Sequence, residues 1–429
     1  METLIEFLTF KYPNIKYVVF GTILLSVSSA VVGCFTFIKK KSLVGDVVSH
    51  AVLPGICIAF LASGSKDPFL LIIGAFISGW ISIIVMDAII INTKIKEDAA
   101  TGLSLSVFFG IGILLMTYIQ HSGNASQSGL DTFLFGKAAS LVGIDLIAFS
   151  IIAVLVLIVV FLFYKEFKLI SFDPNFARSI GVPIKRMEIV LTSVTVLAVV
   201  TGIQAVGVVL MAAMLITPAS AARFWTNRLS RMLILAAIFG AFSGISGAFI
   251  SYSTPSMPTG PWMVMILSII ALFSFFLAPQ RGILINQWNR ITIQRKLLEE
   301  NLLKTFFKIG EVSGDYFQKV DENDIRLIRN FSSSQLKRGL RKLSSNGYIQ
   351  KIGSQWELSK VGHEKGRRIT RLHRLWELYL TKYLRIAPDH VHEDADTIEH
   401  VITPELEKRL EKLLDYPTTD PHQSTIPAR

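Results

Sequence analysis

Long apolar runs broken by short polar stretches fill the chain up to about residue 280, where the pattern changes character. A helix needs roughly 17 to 25 predominantly apolar residues to cross a bilayer. Such windows fall near residues 17 to 38, 43 to 63, 69 to 92, 100 to 120, 143 to 164, 230 to 253 and 261 to 279. A further run, 186 to 222, is too long for one crossing and is interrupted at "TGIQAVG", which reads as a Gly-rich turn between two helices. The pattern predicts nine spans, or eight if that run does not turn. Beyond residue 280 the period becomes that of amphipathic helices, first in "RKLLEENLLKTFFKIGE" and then in "SSSQLKRGLRKLSS". In the second, Leu336, Leu340 and Leu343 share one face, and Lys337, Arg338, Arg341 and Lys342 occupy the opposite arc. Two short strands follow and meet at Gly353-Ser354, a tight hairpin turn. Helix, basic helix and hairpin make a winged-helix pattern, and the four basic side chains are its candidate DNA contacts. A charged, solvated face on a small packing domain is the alternative.

Composition agrees with the pattern. With 51% hydrophobic and 17% charged residues and a mean hydropathy of +0.50, the chain is too apolar for an ordinary soluble protein. The net charge of +11 is unevenly placed, sparse before about residue 279 and dense after it. Basic residues cluster at 39 to 41, in "TKIK", from 165 to 186, in "RFWTNRLSR" and after Gln280, whereas "HSGNASQSG" and "SYSTPSMPTG" carry none. The positive-inside rule then puts every basic loop and the tail in the cytoplasm and the N-terminus outside, which requires nine spans. The apolar run beginning near Tyr17 is too long for a signal peptide's core. Cys34 and Cys57, the only cysteines, exclude a disulfide scaffold or a Cys-rich zinc site.

Ionisable residues inside a span are costly and mark pathways or partners. "SLVGDVVSHAVLPG" puts Asp46, His50 and Pro54 at intervals of four in the second span. Residues four apart share a helix face, so a carboxylate and an imidazole can address one point. Pro54 cannot donate the N–H that would bond the carbonyl of His50, which leaves that oxygen free. Oxygen and nitrogen donors of this kind suit a divalent metal, and a broken helix near mid-membrane is how transporters build ion sites. An Asp–His pair that only hydrogen-bonds between helices fits the local pattern equally well.

"SLVGDVVSHAVLPGICIAF" resembles the signature of the metal-importing ABC permeases of the manganese, zinc and iron group. "KIKEDAATGL", "TFLFGKA", "SFDPNFARSIGVP" and "QAVGVVLMAAMLITPASAA" follow in the family's order, so the likeness covers nearly all of residues 15 to 280. The resemblance implies that Asp46 and His50 belong to the translocation pathway of a divalent metal ion. It implies a cytoplasmic ABC ATPase on another chain, since no G-x-x-x-x-G-K-[ST] loop is present here. It also implies an extracytoplasmic metal-binding protein and a second permease, either a copy of this chain or a homologue. "SFDPNFARSIGV" reads as a short helix with Asp173 as N-cap, Pro174 at its first position and Gly181 past its end. The resemblance makes Phe172, Asp173, Phe176, Ala177 and Gly181 the ATPase coupling element; an ordinary surface helix is the plainer reading.

"RLHRLWELYLTKYLRIAPDHVHEDADTIEHVITPELEKRL" resembles the metal-binding and dimerisation domain of the diphtheria-toxin-repressor family. His373 and Glu377 lie four apart, and Asp396, Glu399 and His400 at i, i+3 and i+4, so each set projects from one helix face. The family motif assigns Asp396, Glu399 and His400 to one metal site and His373, Glu377 and His392 to a neighbouring or shared one. Asp396 stands where iron-responsive members have Cys, and a hard carboxylate favours Mn²⁺, with Zn²⁺ or Fe²⁺ as alternatives. The first tail helix, from which the family supplies another ligand, offers Asn301 and Lys304 instead.

The expected fold is therefore an all-α polytopic membrane protein of eight or nine transmembrane helices, with a C-terminal cytoplasmic winged-helix and a helical metal-binding domain. Its expected boundaries are 1 to 280 for the permease, 281 to 294 for a linker, 295 to 357 for the winged helix, 358 to 415 for the metal-binding domain and 416 to 429 for a tail. Two rivals remain: a membrane-tethered or proteolytically released DNA-binding regulator, and a permease whose tail only dimerises.

Overall fold

The structure, a computed structural model, describes residues 2–41, 43–64, 67–121, 136, 143–254, 257–384 and 404–427. The chain divides into two compact units, Met1–Asn286 and Gln287–Arg429.

The first unit is helical. A short α1 (Glu2–Leu8) precedes α2 (Pro13–Ile38), α3 (Val44–Ser63), α4 (Pro68–Asn92), α5 (Glu97–His121) and α6 (Gly143–Leu162). Two short helices, α7 (Tyr164–Phe172) and α8 (Pro174–Ser179), lead into α9 (Ile184–Val206), α10 (Val208–Trp225), α11 (Leu229–Ser253) and α12 (Thr259–Leu277). Among the described residues, nine helices are long and apolar enough to cross a membrane. The long run does turn: α9 and α10 are separated only by Gly207, whose φ of 92° is a backbone state that side-chain-bearing residues rarely adopt. Helix starts follow ordinary chemistry, as at α4, where the Asp67 carboxylate accepts from the Phe69 N–H at 2.8 Å and Pro68 takes the first turn. These helices are apolar all round rather than on one stripe. Ile73, Ile77 and Ile81 on α4 and Ile151, Ile158 and Phe161 on α6 are exposed, a surface suited to lipid and not to water.

Helix α3 packs against α4, α5, α9 and α10. Its contact with α4 is backbone against backbone, since a Cβ on Gly55 would come within 2.1 Å of the Gly74 carbonyl oxygen. Small residues at such a crossing let dispersion and polar contacts hold helices together where no hydrophobic drive acts.

The second unit starts inside α13 (Ile283–Ser313), so the segment expected as a linker is helical from Ile283 onward. After it come α14 (Glu322–Ile328), α15 (Ser333–Ser345), β1 (Ile349–Ile352), β2 (Gln355–Leu358), α16 (Lys360–Leu384) and α17 (Pro404–Leu413). The strands pair antiparallel with Ile352 opposite Gln355, which leaves Gly353 and Ser354 as the turn. Leu302 and Phe306 of α13, Ile325 of α14, the three leucines of α15 and Trp356 of β2 form one core, the packing of a winged helix. Ser332 caps α15 reciprocally with Gln335. Leu336, Leu340 and Leu343 are fully buried while Lys337, Arg338, Arg341 and Lys342 are exposed.

Candidate functional site

Helix α3 presents Asp46 and His50, both half-buried, one turn apart. Pro54 lies within the helix, so the carbonyl of His50 lacks its intrahelical partner. Three contacts hold this turn in place. The Ser78 hydroxyl of α4 donates to the Ala51 carbonyl at 2.6 Å. The ring of Phe109 on α5 meets the His50 imidazole edge to face, with centroids 5.0 Å apart and planes at 89°. The Cys57 thiol approaches the Gly112 carbonyl of α5 at 3.8 Å, so it packs against α5 as a small weak donor.

His50 Nδ1 is buried and makes no hydrogen bond among the described residues, and Asp46 forms no ion pair or hydrogen bond among them. An imidazole nitrogen and a carboxylate thus share one face of α3 without a hydrogen bond to another helix among the described residues. Among the described residues no group of three or more His, Cys, Asp and Glu side chains converges to hold a metal, so the pair does not form a closed cage.

Sequence reasoning missed Phe109 and Ser78, since an apolar ring and a hydroxyl in apolar helices carry no distinguishing signal. It also missed two ion pairs beside the first turn of α3. Lys39 Nζ lies 2.9 Å from Glu188 Oε1 of α9, and Lys41 Nζ lies 3.6 Å from Asp87 Oδ1 of α4. They border a polar cavity of about 70 Å³ lined by Thr36, Thr192 and Thr195 among others. A larger groove of about 590 Å³ runs along Pro54, Ile58, Ile73 and Ile77, but its apolar lining suits an acyl chain and not an ion.

The loop helix α8 has the expected cap, with Asp173 Oδ1 accepting from the Phe176 N–H at 2.9 Å. Phe172 and Phe176 stand 52% and 53% exposed, and Gly181 is exposed with a φ of 86°. Ala177 is different: it is fully buried in the core of the membrane unit, so it seats α8 and offers no surface to a partner. Beneath the loop, Phe167 of α7 is buried edge to face against Phe35 of α2, with centroids 5.7 Å apart.

In the second unit His373 and Glu377 of α16 meet as their spacing requires, with Nε2 2.8 Å from Oε1. Glu377 is 1% exposed. Lys304 of α13 brings its Nζ to 3.2 Å from the other ring nitrogen, Nδ1. Asn301 Oδ1 accepts from the Arg329 guanidinium at 3.0 Å. The other expected ligands, His392, Asp396, Glu399 and His400, lie outside the described residues. His363 is no substitute for them: it packs among Phe307, Tyr316 and Phe317, and burial, then the Arg367 charge, lowers its pKa.

Comparison with known proteins gives the arrangement its context. Residues 11–278 match the ABC 3 transport family, and residues 359–428 match the iron dependent repressor, metal binding and dimerisation domain. The manganese transport system membrane protein MntC of Bacillus subtilis is 39% identical over 409 residues, covering 95% of this chain and 93% of that protein. The likeness thus includes the tail. The zinc transport system membrane protein TroC of Treponema pallidum is 45% identical over 287 residues, 67% of this chain and 96% of its own. Among solved structures, PsaBC from Streptococcus pneumoniae in complex with Fab is 32% identical, with a TM-score of 0.59, and is matched over 65% of this chain and 97% of that one. With a family match spanning more than half its length, the chain belongs to the ABC 3 transport family and carries a repressor-type metal-binding and dimerisation domain at its C-terminal end.

Proposed function

We propose that the chain is the permease subunit of an ABC importer that moves divalent metal ions into the cytoplasm, with Mn²⁺ favoured over Zn²⁺ and Fe²⁺, and that its tail senses the ion delivered. The observation that carries the reading is the Asp46–His50 pair on α3, whose His50 Nδ1 is buried without a hydrogen bond among the described residues and which is backed by a proline-freed carbonyl. In an apolar surround, two groups in that condition need a cation as substrate. Such a permease performs no chemistry of its own, so ATP hydrolysis falls to a separate cytoplasmic ATPase, and ions arrive from an extracytoplasmic binding protein. A second copy of the chain or a homologous permease completes the pathway. The tail lies in the cytoplasm, where the imported ion emerges.

The tail reading is tested by uptake of radioactive Mn²⁺ through the complete transporter with and without residues 287–429, at low and high cytosolic metal. Coupling free energies of about 1–3 kcal/mol correspond to roughly 5–150-fold, so removal is expected to raise uptake at high metal at least about fivefold and to leave it unchanged at low metal. Asp396→Ala with His400→Ala is expected to reproduce the deletion. Equal effects at both loads would remove the sensor. The exposed basic arc of α15 would then favour the second reading, a tethered or released regulator that binds DNA through Lys337, Arg338, Arg341 and Lys342.

Coupling to the ATPase is assigned to α8. Asp173→Lys removes the bond to the Phe176 N–H and sets a positive charge at the helix's positive end, a cost of about 1 kcal/mol locally. The exposed Phe172 and Phe176 rings would lose their fixed direction. The expected outcome is reduced co-purification of the ATPase with normal membrane abundance of the permease. Full retention of the ATPase with full metal-stimulated hydrolysis would place coupling elsewhere.

A further inference from the structure

The corner between α2 and α3 opens with three lysines, Lys39, Lys40 and Lys41. Its hydrogen bonds are those of a helix end that usually takes glycine: the Lys40 N–H donates to the Phe37 carbonyl at 3.1 Å and the Lys41 N–H to the Thr36 carbonyl at 3.0 Å. Lys40 accordingly sits at a φ of 59°, a left-handed state that a side chain makes costly. The end of α8 closes with the same two bonds, from the Gly181 N–H to Arg178 and from the Val182 N–H to Ala177, and there the left-handed residue is a glycine. A strained residue persists where its surroundings fix it from both sides. At Lys40 the fixing groups are the flanking lysines. Lys39 Nζ lies 2.9 Å from Glu188 Oε1 of α9, and Lys41 Nζ lies 3.6 Å from Asp87 Oδ1 of α4.

We propose that the Lys39–Glu188 ion pair is the joint through which movement of α8 reaches α3, the helix of Asp46 and His50. This rests on the reading of α8 as the ATPase coupling element and adds to it the route inward. Only residues 180–183 separate α8 from α9. The bonds at Gly181 and Val182 and the fixed φ of the Pro183 ring leave that link little slack. Glu188 stands four residues beyond Ile184, about 6 Å along α9, so it travels with the loop helix. Lys39 ends a helix held along its length by α6, α10 and α11. When α8 shifts, Glu188 parts from Lys39, one brace of the strained corner is gone, and the start of α3 relaxes. Asp46 lies two residues inside that start and moves with it. The pair can open at little cost, because Glu188 has 46% of its side chain exposed and the polar cavity of about 70 Å³ beside it has room for water to solvate the separated charges. A pair this exposed adds little to stability, so its loss changes coupling and not the fold. Lys39 and Glu188 act on transport only through the position of α3 and are positioning residues.

The test compares the complete transporter in lipid vesicles as wild type, Glu188→Gln, Lys39→Met and the exchange of Lys39→Glu with Glu188→Lys. Uptake of radioactive Mn²⁺ is measured per ATP hydrolysed, and hydrogen exchange is read on peptides spanning the α2–α3 corner with and without a non-hydrolysable ATP analogue. Both single variants are expected to keep the ATPase and its basal hydrolysis and to lose at least about fivefold in uptake per ATP. The exchange of charges is expected to recover most of that loss. In wild type the corner should exchange faster once the analogue binds, whereas Glu188→Gln should show the faster rate without it. A pair that only braces the fold would show no dependence on nucleotide, and that result would overturn the proposal. Asp173→Lys separates the two ways of failing. If it releases the ATPase while Glu188→Gln imports with wild-type efficiency, the joint is overturned and the coupling reading stands. If it leaves the ATPase bound and fully active, α8 is not the input and the joint falls with that reading.

Discussion

Asp46→Ala and His50→Ala are each expected to reduce metal uptake by the assembled transporter to background while the permease accumulates normally in the membrane. The geometry separates this from a structural effect. His50 contributes an edge-to-face contact with Phe109, worth about 0.5–1.5 kcal/mol beyond burial, and Asp46 contributes no hydrogen bond or ion pair among the described residues. Removing either leaves few protein contacts unmade, so the fold should persist. Helix α3 is kept in place by the Gly55–Gly74 approach and the Ser78 bond to Ala51, neither of which involves the mutated side chains. On the proposed reading the ion, by contrast, would lose one of two side-chain ligands in a medium where water cannot replace it freely. Uptake of radioactive Mn²⁺ normalised to membrane protein level makes the comparison, with Ser78→Ala as a variant that disturbs the helix contact and spares the ligands. Wild-type uptake in both ligand variants would remove the site, and reduced abundance in proportion to reduced uptake would return Asp46 and His50 to a structural role.

The parts of this protein that were legible in its sequence are those where the surroundings restrict the answer to very few. A bilayer allows helices of a limited length range with internally paired backbones, so apolar windows located the spans closely, although of the stretch "TGIQAVG" expected to turn only its last residue, Gly207, lies outside the helices. Edges moved where polar residues extend a helix without spoiling it. The window begun at residue 100 opens at Glu97, because Glu97 and Asp98 favour the positive end of α5. In the same way α2 starts at Pro13, a residue suited to a first turn. The asymmetry of α15 was legible because leucines at helical spacing have one place to go, the core they share with Trp356.

What was not legible depends on pairs far apart in the chain. Lys304 and His373 are separated by 69 positions and Lys39 and Glu188 by 149. Nothing local distinguishes a lysine that meets a buried imidazole from one that meets water. From the sequence Lys304 stands where a ligand was expected; in the structure its Nζ lies 3.2 Å from His373 Nδ1. Ala177 shows the converse limit, since a loop helix too short to display a period does not reveal which of its residues faces inward. Phe109 was hidden for a third reason: in lipid, apolar residues line the outside of the protein as well as its core, so hydrophobicity alone no longer reports burial.

The second large effect is expected at Arg374. The residue is 7% exposed, and its guanidinium makes two bonds to the Glu311 carboxylate of α13, at 2.8 and 2.6 Å. It also donates to the Thr425 carbonyl and approaches Asp420 Oδ2 at 3.5 Å. One side chain thus ties α16 to α13 and to the segment that follows α17. Arg371, one turn away, adds a bond to Glu411 of α17 and another to the Pro427 carbonyl. Loss of one partner from a buried pair costs about 3–5 kcal/mol, chiefly because the other charge stays buried and unpaired. In Arg374→Met, Asp420, with 5% of its side chain exposed, loses its ion pair but keeps two bonds to Oδ1, from the His422 and Ser424 N–H groups, and Glu311 retains 30% and can turn to water, which puts the expected cost at the lower end, about 3 kcal/mol. Hydrogen exchange on the full-length chain should therefore show faster opening of Pro404–Leu413 and of residues 415–427, with the membrane unit unaffected. Asp420→Asn in the same chain should recover part of the loss, because the unpaired charge and not the missing contact is its main source. Unchanged protection in Arg374→Met would mean that the apolar contacts of Leu375 with Leu410, Leu414 and Ile426 hold this end of the unit without the ion pairs.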